Sequence, residues 1–260
     1  MKSTGNINRK LWPTNTTALQ PLSFRLAGVL LLLTLLLIGS TSESVSAGLE
    51  SGFPQAMNPE QVAATIKANA QALKAFSYQQ RVQLQLKGET KKVTLSQVTY
   101  DMYGNQQKTQ LSEDPPADSQ PSGGRLKRRI IEKKKGEFKD MMEGIAALVN
   151  SYTELPPEQL QASLKKASFS PGAGDMAGSV QIVMQNVIQN GDSMTVWIDR
   201  TAMLFRRAAI GTAYEGNPVT TTANFAMLPS GQVYMGQAIL NYPKKEVVVE
   251  IDNLNYQQSR

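Results

Sequence analysis

The fold is decided by the C-terminal part of the chain, above all by residues 193–227, SMTVWIDRTAMLFRRAAIGTAYEGNPVTTTANFAM. Apolar and polar side chains alternate along this stretch, and a period of two is typical of strands with one buried face. The pattern extends in both directions and predicts strands over about 179–189, 193–200, 202–210, 217–227, 231–241 and 245–256. Asn190-Gly191-Asp192 is a hairpin signal between the first two. Because no helical pattern separates these segments, we expect neighbouring strands to pair antiparallel.

Upstream, residues 58–111 predict one helix and three further strands. Apolar residues at helical spacing predict an amphipathic helix over 59–75, and Asn58-Pro59-Glu60 has the residue types of a helix start. Alternation over 78–86, 93–99 and about 106–111 predicts an antiparallel meander with short turns between its strands.

A helical insertion separates these three strands from the rest. Residues 112–124 are rich in Pro, Gly, Ser and acidic residues and predict a loop. Residues 133–167 predict a helical hairpin broken at Leu155-Pro156-Pro157-Glu158, and residues 168–178 predict a second loop rich in Gly and Pro.

Together these elements predict an α+β fold with about nine strands. One sheet of that size must curl strongly, so we expect a single curved antiparallel sheet, an open or half barrel, with the helices covering its concave face. Two separate sheets are the alternative. The single domain would span 58–260, after a signal peptide (1–47) and a linker (48–57).

The signal peptide is predicted from the apolar core Leu26–Ile38, the basic residues before it and the small residues Val45-Ser46-Ala47 after it. The core is short for a bilayer of about 30 Å, so we expect cleavage and a periplasmic or secreted protein. An uncleaved signal anchor that tethers the domain to the inner membrane is the alternative.

The composition excludes several classes of function. The chain has no His and no Cys, which removes the Ser-His-Asp and Cys-His catalytic systems and most transition-metal sites. Its 27 Lys and Arg against 21 Asp and Glu make it only mildly basic once the leader is removed, unlike a nucleic-acid-binding protein. We therefore expect no enzyme, no cofactor, no metal and no nucleic-acid partner. The carboxylates of the C-terminal half show no catalytic spacing and are expected at solvated strand ends: Asp192, Asp199, Glu215, Glu250 and Asp252.

One segment is strongly basic and could contact an anionic membrane surface or an acidic envelope protein. Its residues are Arg125, Lys127, Arg128, Arg129, Lys133, Lys134 and Lys135. The alternative is a solvated helix face and strand end. It lacks interleaved aromatic residues, which argues against stacking with single-stranded nucleic acid.

In its order of elements the chain resembles the bacterial outer-membrane lipoprotein carrier and receptor proteins, the LolA/LolB-like fold. The local similarity lies in Val196-Trp197-Ile198-Asp199, in Phe205-Arg206-Arg207 and in the strands Val219–Met227 and Gln232–Leu240. That resemblance implies a half-open barrel around helices, an apolar cavity for acylated molecules and no cofactor. No contact residue is carried over from it.

Two functions of different classes follow. The first is an exported, non-catalytic carrier or binding protein for a lipid or acylated ligand, because flexible Met side chains suit variable acyl chains. The expected cavity residues are Met184, Trp197, Met203, Phe205, Phe225, Met227 and Tyr234, with Met142 and Ile145 on a helical lid. The alternative for Met142 and Ile145 is that they pack in an ordinary core and do not form a lid. The second function is an envelope scaffold with a filled core that docks a partner through the basic segment. A hydrolase that uses carboxylates alone is the least favoured.

Overall fold

The structure is a computed structural model, and it describes residues 59–114 and 125–259. The predicted signal peptide, the linker and most of the predicted loop over 112–124 lie outside the described residues. The described residues form ten strands and three α-helices, and none of these helices combines the length and the apolar character that a membrane span requires.

The three helices are α1 (Pro59–Leu73), α2 (Arg125–Thr153) and α3 (Pro157–Lys165). The strands are β1 (Phe76–Leu86), β2 (Glu89–Tyr100), β3 (Gln106–Asp114), β4 (Ser168–Pro171), β5 (Ser179–Gln185), β6 (Ser193–Asp199), β7 (Phe205–Tyr214), β8 (Asn217–Met227), β9 (Val233–Tyr242) and β10 (Val247–Gln258). Two short 3-10 turns span Gly174–Met176 and Pro243–Lys245.

All ten strands belong to one antiparallel sheet in the order β3-β2-β1-β10-β9-β8-β7-β6-β5-β4. Strands that follow each other in sequence pair within two meanders, β1 to β3 and β4 to β10, and the pairing of β10 with β1 joins them. The ends of the sheet, β3 and β4, do not pair with each other, so the curved sheet stays open. The predicted α+β fold with an open, curved antiparallel sheet is confirmed.

Two local expectations differ from the structure. Ser168–Pro171, expected in a loop, forms the edge strand β4 beside β5. Pro171 is compatible with this position because an edge strand leaves one side of its backbone unpaired. The basic segment, in turn, does not end a strand: α2 already begins at Arg125 and carries the segment through its first three turns.

The core lies between the helices and one face of the sheet. Alternate residues of β6, Met194, Val196 and Ile198, are buried, as are the corresponding residues of the strands from β5 to β10. They form one cluster with Ile66 of α1, a stripe on α2 and Leu160 of α3. Burial of this continuous apolar face against the sheet holds the three helices in place.

Strands β9 and β10 pair only as far as Asp252 opposite Gln237, and two side chains satisfy the backbone groups that follow. The amide of Asn69 on α1 donates to the carbonyl of Val233 and accepts from its N–H, both at 2.7 Å. Asn253 donates to the carbonyl of Met235 at 2.9 Å. The buried amides therefore replace a missing strand partner, as buried backbone groups require.

Candidate ligand-binding site

The structure divides the nine expected ligand-binding residues among several environments. Met142 and Ile145 of α2, Met184 of β5 and Phe205 of β7 are buried in the core cluster. Met203 and Phe225 are partly buried against it, and the Phe225 ring lies 5.5 Å from that of Phe205. These six belong to the core cluster or pack against it.

The other three are placed differently. Trp197 alternates with the buried residues of β6 and so projects from the opposite face, where its ring lies 6.0 Å from the guanidinium carbon of Arg207. Trp197 therefore does not face the core, although it was predicted to line a cavity there. Met227 ends β8 and is 59% exposed. Tyr234 packs against Tyr256, with ring centroids 4.2 Å apart.

The core has an apolar margin that is only partly covered. Val82, Leu84 and Leu86 lie on one face of β1, opposite the buried Ile251, Val249 and Val247 of β10. Phe138 and Met141 continue the apolar stripe of α2 and are also partly buried against the same core. On β2, the positions opposite Val82 and Leu84 are the polar residues Thr94 and Lys92. The core therefore ends in a row of half-covered aliphatic side chains beside polar ones.

A ladder of polar side chains crosses the same face of the sheet next to this margin. The ammonium of Lys108 on β3 donates to Oε1 of Gln80 on β1 at 2.7 Å. The Nε2 of Gln80 donates to Oδ1 of Asn253 on β10 at 3.0 Å. Lys108 is opposite Val98 of β2, whereas Gln80 is opposite the small, buried Ser96, so the contact runs diagonally across β2. The ladder fixes the position of one cationic group at the end of the aliphatic row.

Lys108 has an unusual electrostatic environment for a lysine. It is half-buried, and burial lowers the pKa of its ammonium group. Among residues 59–114 and 125–259 it forms no ion pair, whereas Lys92 of the neighbouring strand contacts the carboxylate of Glu113 at 2.6 Å. The Lys108 charge is therefore partly desolvated without an opposite charge in the part of the chain that the structure describes.

Tyrosine rings occupy the other side of the ladder. Tyr78 stacks on Tyr256 with centroids 4.7 Å apart, and Nε2 of Gln106 donates to the Tyr78 hydroxyl at 2.9 Å. Burial raises the pKa of Tyr78 and of Tyr256, so both hydroxyls stay neutral at physiological pH. The ladder separates this aromatic cluster from the aliphatic row on β1.

Asp192 corrects an expectation about the carboxylates, because it is buried and not solvated, with 1% of its surface exposed. It accepts hydrogen bonds from the backbone N–H groups of Val187, Ile188 and Gln189 and from the Tyr152 hydroxyl. Burial alone raises the pKa of a carboxyl, but these hydrogen bonds outweigh it and hold the pKa of Asp192 below its usual range. The Asp192 carboxylate therefore stabilises the turn between β5 and β6 and its contact with α2.

The described part of the basic segment is at the surface. Within 129–137, every residue whose side chain the structure describes is exposed, including Arg129, Lys133 and Lys134. Lys133 lies 3.8 Å from Glu137, one turn along the helix. Arg125, Lys127 and Arg128 belong to α2, but their side chains lie outside the description.

Lys108, Gln80 and the row on β1 were not predicted as a site from the sequence. The alternation of Val82, Leu84 and Leu86 was visible and marked a half-buried strand. Lys108 stands in a Gln-rich strand with no motif around it, and only the pairing of three strands brings its ammonium to Gln80. No group of three or more metal-ligating side chains is present among the residues described.

No family model and no curated protein matches this chain. Several solved structures are similar to it. A LolA superfamily protein from Nitrosomonas europaea is 10% identical, with a TM-score of 0.33, over 85% of this chain and 94% of its own. A DUF1329 family protein from Desulfovibrio piger is 9% identical, with a TM-score of 0.34, over 84% of this chain and 94% of its own.

A Vibrio parahaemolyticus domain named for outer membrane lipoprotein sorting is 10% identical, with a TM-score of 0.31, over 73% of this chain and 90% of its own. Two of these three structures carry names from the family whose resemblance the sequence suggested. Because the TM-scores lie below 0.5, no residue role is transferred from these proteins to this chain.

Proposed function

We propose that this protein is a non-catalytic carrier or binding protein for a lipid or acylated ligand. The observation that supports the proposal is the half-buried aliphatic row of Val82, Leu84 and Leu86 on β1, which packs against the edge of the core cluster. The ligand would lie along this row, without displacing the buried Met142 and Ile145. Each buried methylene would contribute about 0.8 kcal/mol, so a long acyl chain needs little polar recognition.

A bulky substitution on the row tests the proposal. In Leu84→Trp the indole would occupy the space above β1, and the matched control Gln83→Trp places the same bulk on the opposite face of the same strand. We expect a fluorescent fatty-acid analogue to bind the original protein saturably, about tenfold more weakly to Leu84→Trp and unchanged to Gln83→Trp. Circular dichroism establishes that both variants fold. Absence of saturable binding to the original protein would overturn the proposal.

The predicted signal peptide supports the further proposal that the protein acts in the cell envelope. Intact-mass measurement of the protein recovered from the periplasm should give a chain that begins at Gly48. A full-length chain in the membrane fraction would instead support an uncleaved anchor.

The exposed basic turns of α2 favour a second candidate, a scaffold that docks an acidic partner or an anionic membrane surface. Changing Lys133, Lys134 and Lys135 to Glu discriminates between the two functions. Loss of vesicle or partner association with unchanged binding of the fatty-acid analogue would assign docking to α2 and ligand binding to the sheet. Loss of ligand binding alone would argue against the scaffold.

A further inference from the structure

The position of Lys108 relative to the aliphatic row specifies what kind of ligand the row would accept. Gln80, Val82, Leu84 and Leu86 are alternate residues of β1 and project from the same face of the sheet. At about 3.3 Å per residue, the six steps along the strand from Gln80 to Leu86 span roughly 20 Å. The Lys108 ammonium, hydrogen-bonded to Gln80, therefore lies at one end of this apolar row.

Lys108 has donors to spare at this position. An ammonium offers three N–H donors, and Gln80 is the acceptor that Lys108 reaches among the described residues. The bond from Gln80 to Asn253 holds the Gln80 carbonyl toward Lys108 and so restrains the ammonium. Partial burial weakens hydration of the charge, which strengthens its attraction to any anion that approaches.

We propose that Lys108 binds the anionic head group, a carboxylate or a phosphate, of a single-chain lipid whose acyl chain lies along Val82, Leu84 and Leu86. This inference rests on the proposed function and deepens it, because it predicts selectivity for an anionic over a neutral amphiphile. The head group would receive charge-assisted hydrogen bonds, which are stronger than those between neutral groups.

The test compares three probes with the same chain length, namely palmitate, hexadecyl phosphate and hexadecanol, by isothermal titration with the full mature chain. We expect the original protein to bind at least one anionic probe about tenfold more tightly than hexadecanol. Lys108→Met should remove this preference, because it should weaken binding of the anionic probes far more than binding of the neutral hexadecanol. The matched control Lys67→Met, an exposed lysine of α1, loses the same charge and should keep the preference.

The outcomes separate the inference from the proposal beneath it. Equal affinity of the original protein for all three probes, or a preference that survives in Lys108→Met, would overturn the role of Lys108 and leave ligand binding intact. Failure of every probe to bind would overturn both. A preference for palmitate over hexadecyl phosphate, or the reverse, identifies the head group as carboxylate or phosphate.

Discussion

The hydroxyl of Tyr152, at the end of α2, donates a hydrogen bond to the buried carboxylate of Asp192 in the turn between β5 and β6. The same hydroxyl lies 2.7 Å from the Thr212 hydroxyl of β7. One side chain therefore connects the long helix to the turn between β5 and β6 and to β7. Burial, together with the bond to Asp192, raises the pKa of Tyr152, so its hydroxyl remains a proton donor at neutral pH.

Tyr152→Phe should destabilise the protein by about 1.5–3 kcal/mol, because it removes a hydrogen bond to a charged, buried acceptor. Urea denaturation followed by circular dichroism measures the loss. Tyr103→Phe is the control, since Tyr103 is 80% exposed. A change of less than 0.5 kcal/mol in Tyr152→Phe, similar to the control, would show that the Tyr152–Asp192 bond contributes little.

Stability should fall with pH below about 4, and Asp192 should cause part of that fall. Its pKa in the folded protein is lowered, so its contribution is present above the pKa of the unfolded chain and is lost as the pH decreases toward the folded value. Asp192→Asn should lower stability at pH 7 by about 2 kcal/mol and flatten the dependence on pH below about 4. Denaturation midpoints of the two proteins measured across this range should converge as the pH falls. A constant difference would contradict the role of the ionised carboxylate.

The strands were predictable where alternation is regular, and the exceptions have physical causes. Residues 217–227 were expected as a strand with the same bounds that β8 has, because Val219, Thr221 and Ala223 alternate with polar residues. Strand β4 was not predicted because Phe169 is the only apolar residue besides proline among its four residues, so no alternation is visible. Its extended conformation depends on pairing with β5.

The site was less accessible to sequence analysis than the fold, because it depends on contacts between distant residues. Asp192 follows Asn-Gly, a turn that is normally solvated, and it is buried by Tyr152, which lies 40 residues away in sequence. Lys108 and Gln80 are 28 residues apart, and the contact needs the register of β1, β2 and β3 together. Trp197 was predicted to line the cavity because of its residue type. Its position in the alternation of β6 places it on the face of the sheet opposite the core.

Asn69→Ala should weaken the contact of α1 with the sheet. It leaves the backbone N–H and carbonyl of the buried Val233 without the partners that the amide supplies. An unpaired buried polar group costs about 1–3 kcal/mol, and this substitution affects two. Hydrogen exchange should therefore accelerate at the N–H of Val233 in Asn69→Ala and stay unchanged in Lys67→Ala, which alters an exposed position on the same helix. Unaltered exchange at Val233 would mean that other groups protect it.

Two glycines of α2 should respond in opposite ways to replacement by alanine. At Gly136 an added Cβ has no atom within 4 Å, so Gly136→Ala should stabilise the helix by up to about 1 kcal/mol. At Gly144 the same Cβ would meet the hydroxyl oxygen of Tyr214 and lie 2.8 Å from two of its ring carbons. Because Tyr214 also packs against Tyr242 at 6.4 Å, it cannot shift without disturbing the core, and Gly144→Ala should cost about 1–3 kcal/mol. Thermal unfolding of both variants checks the sign, and stabilisation by Gly144→Ala would show that the Tyr214 ring does not lie against α2.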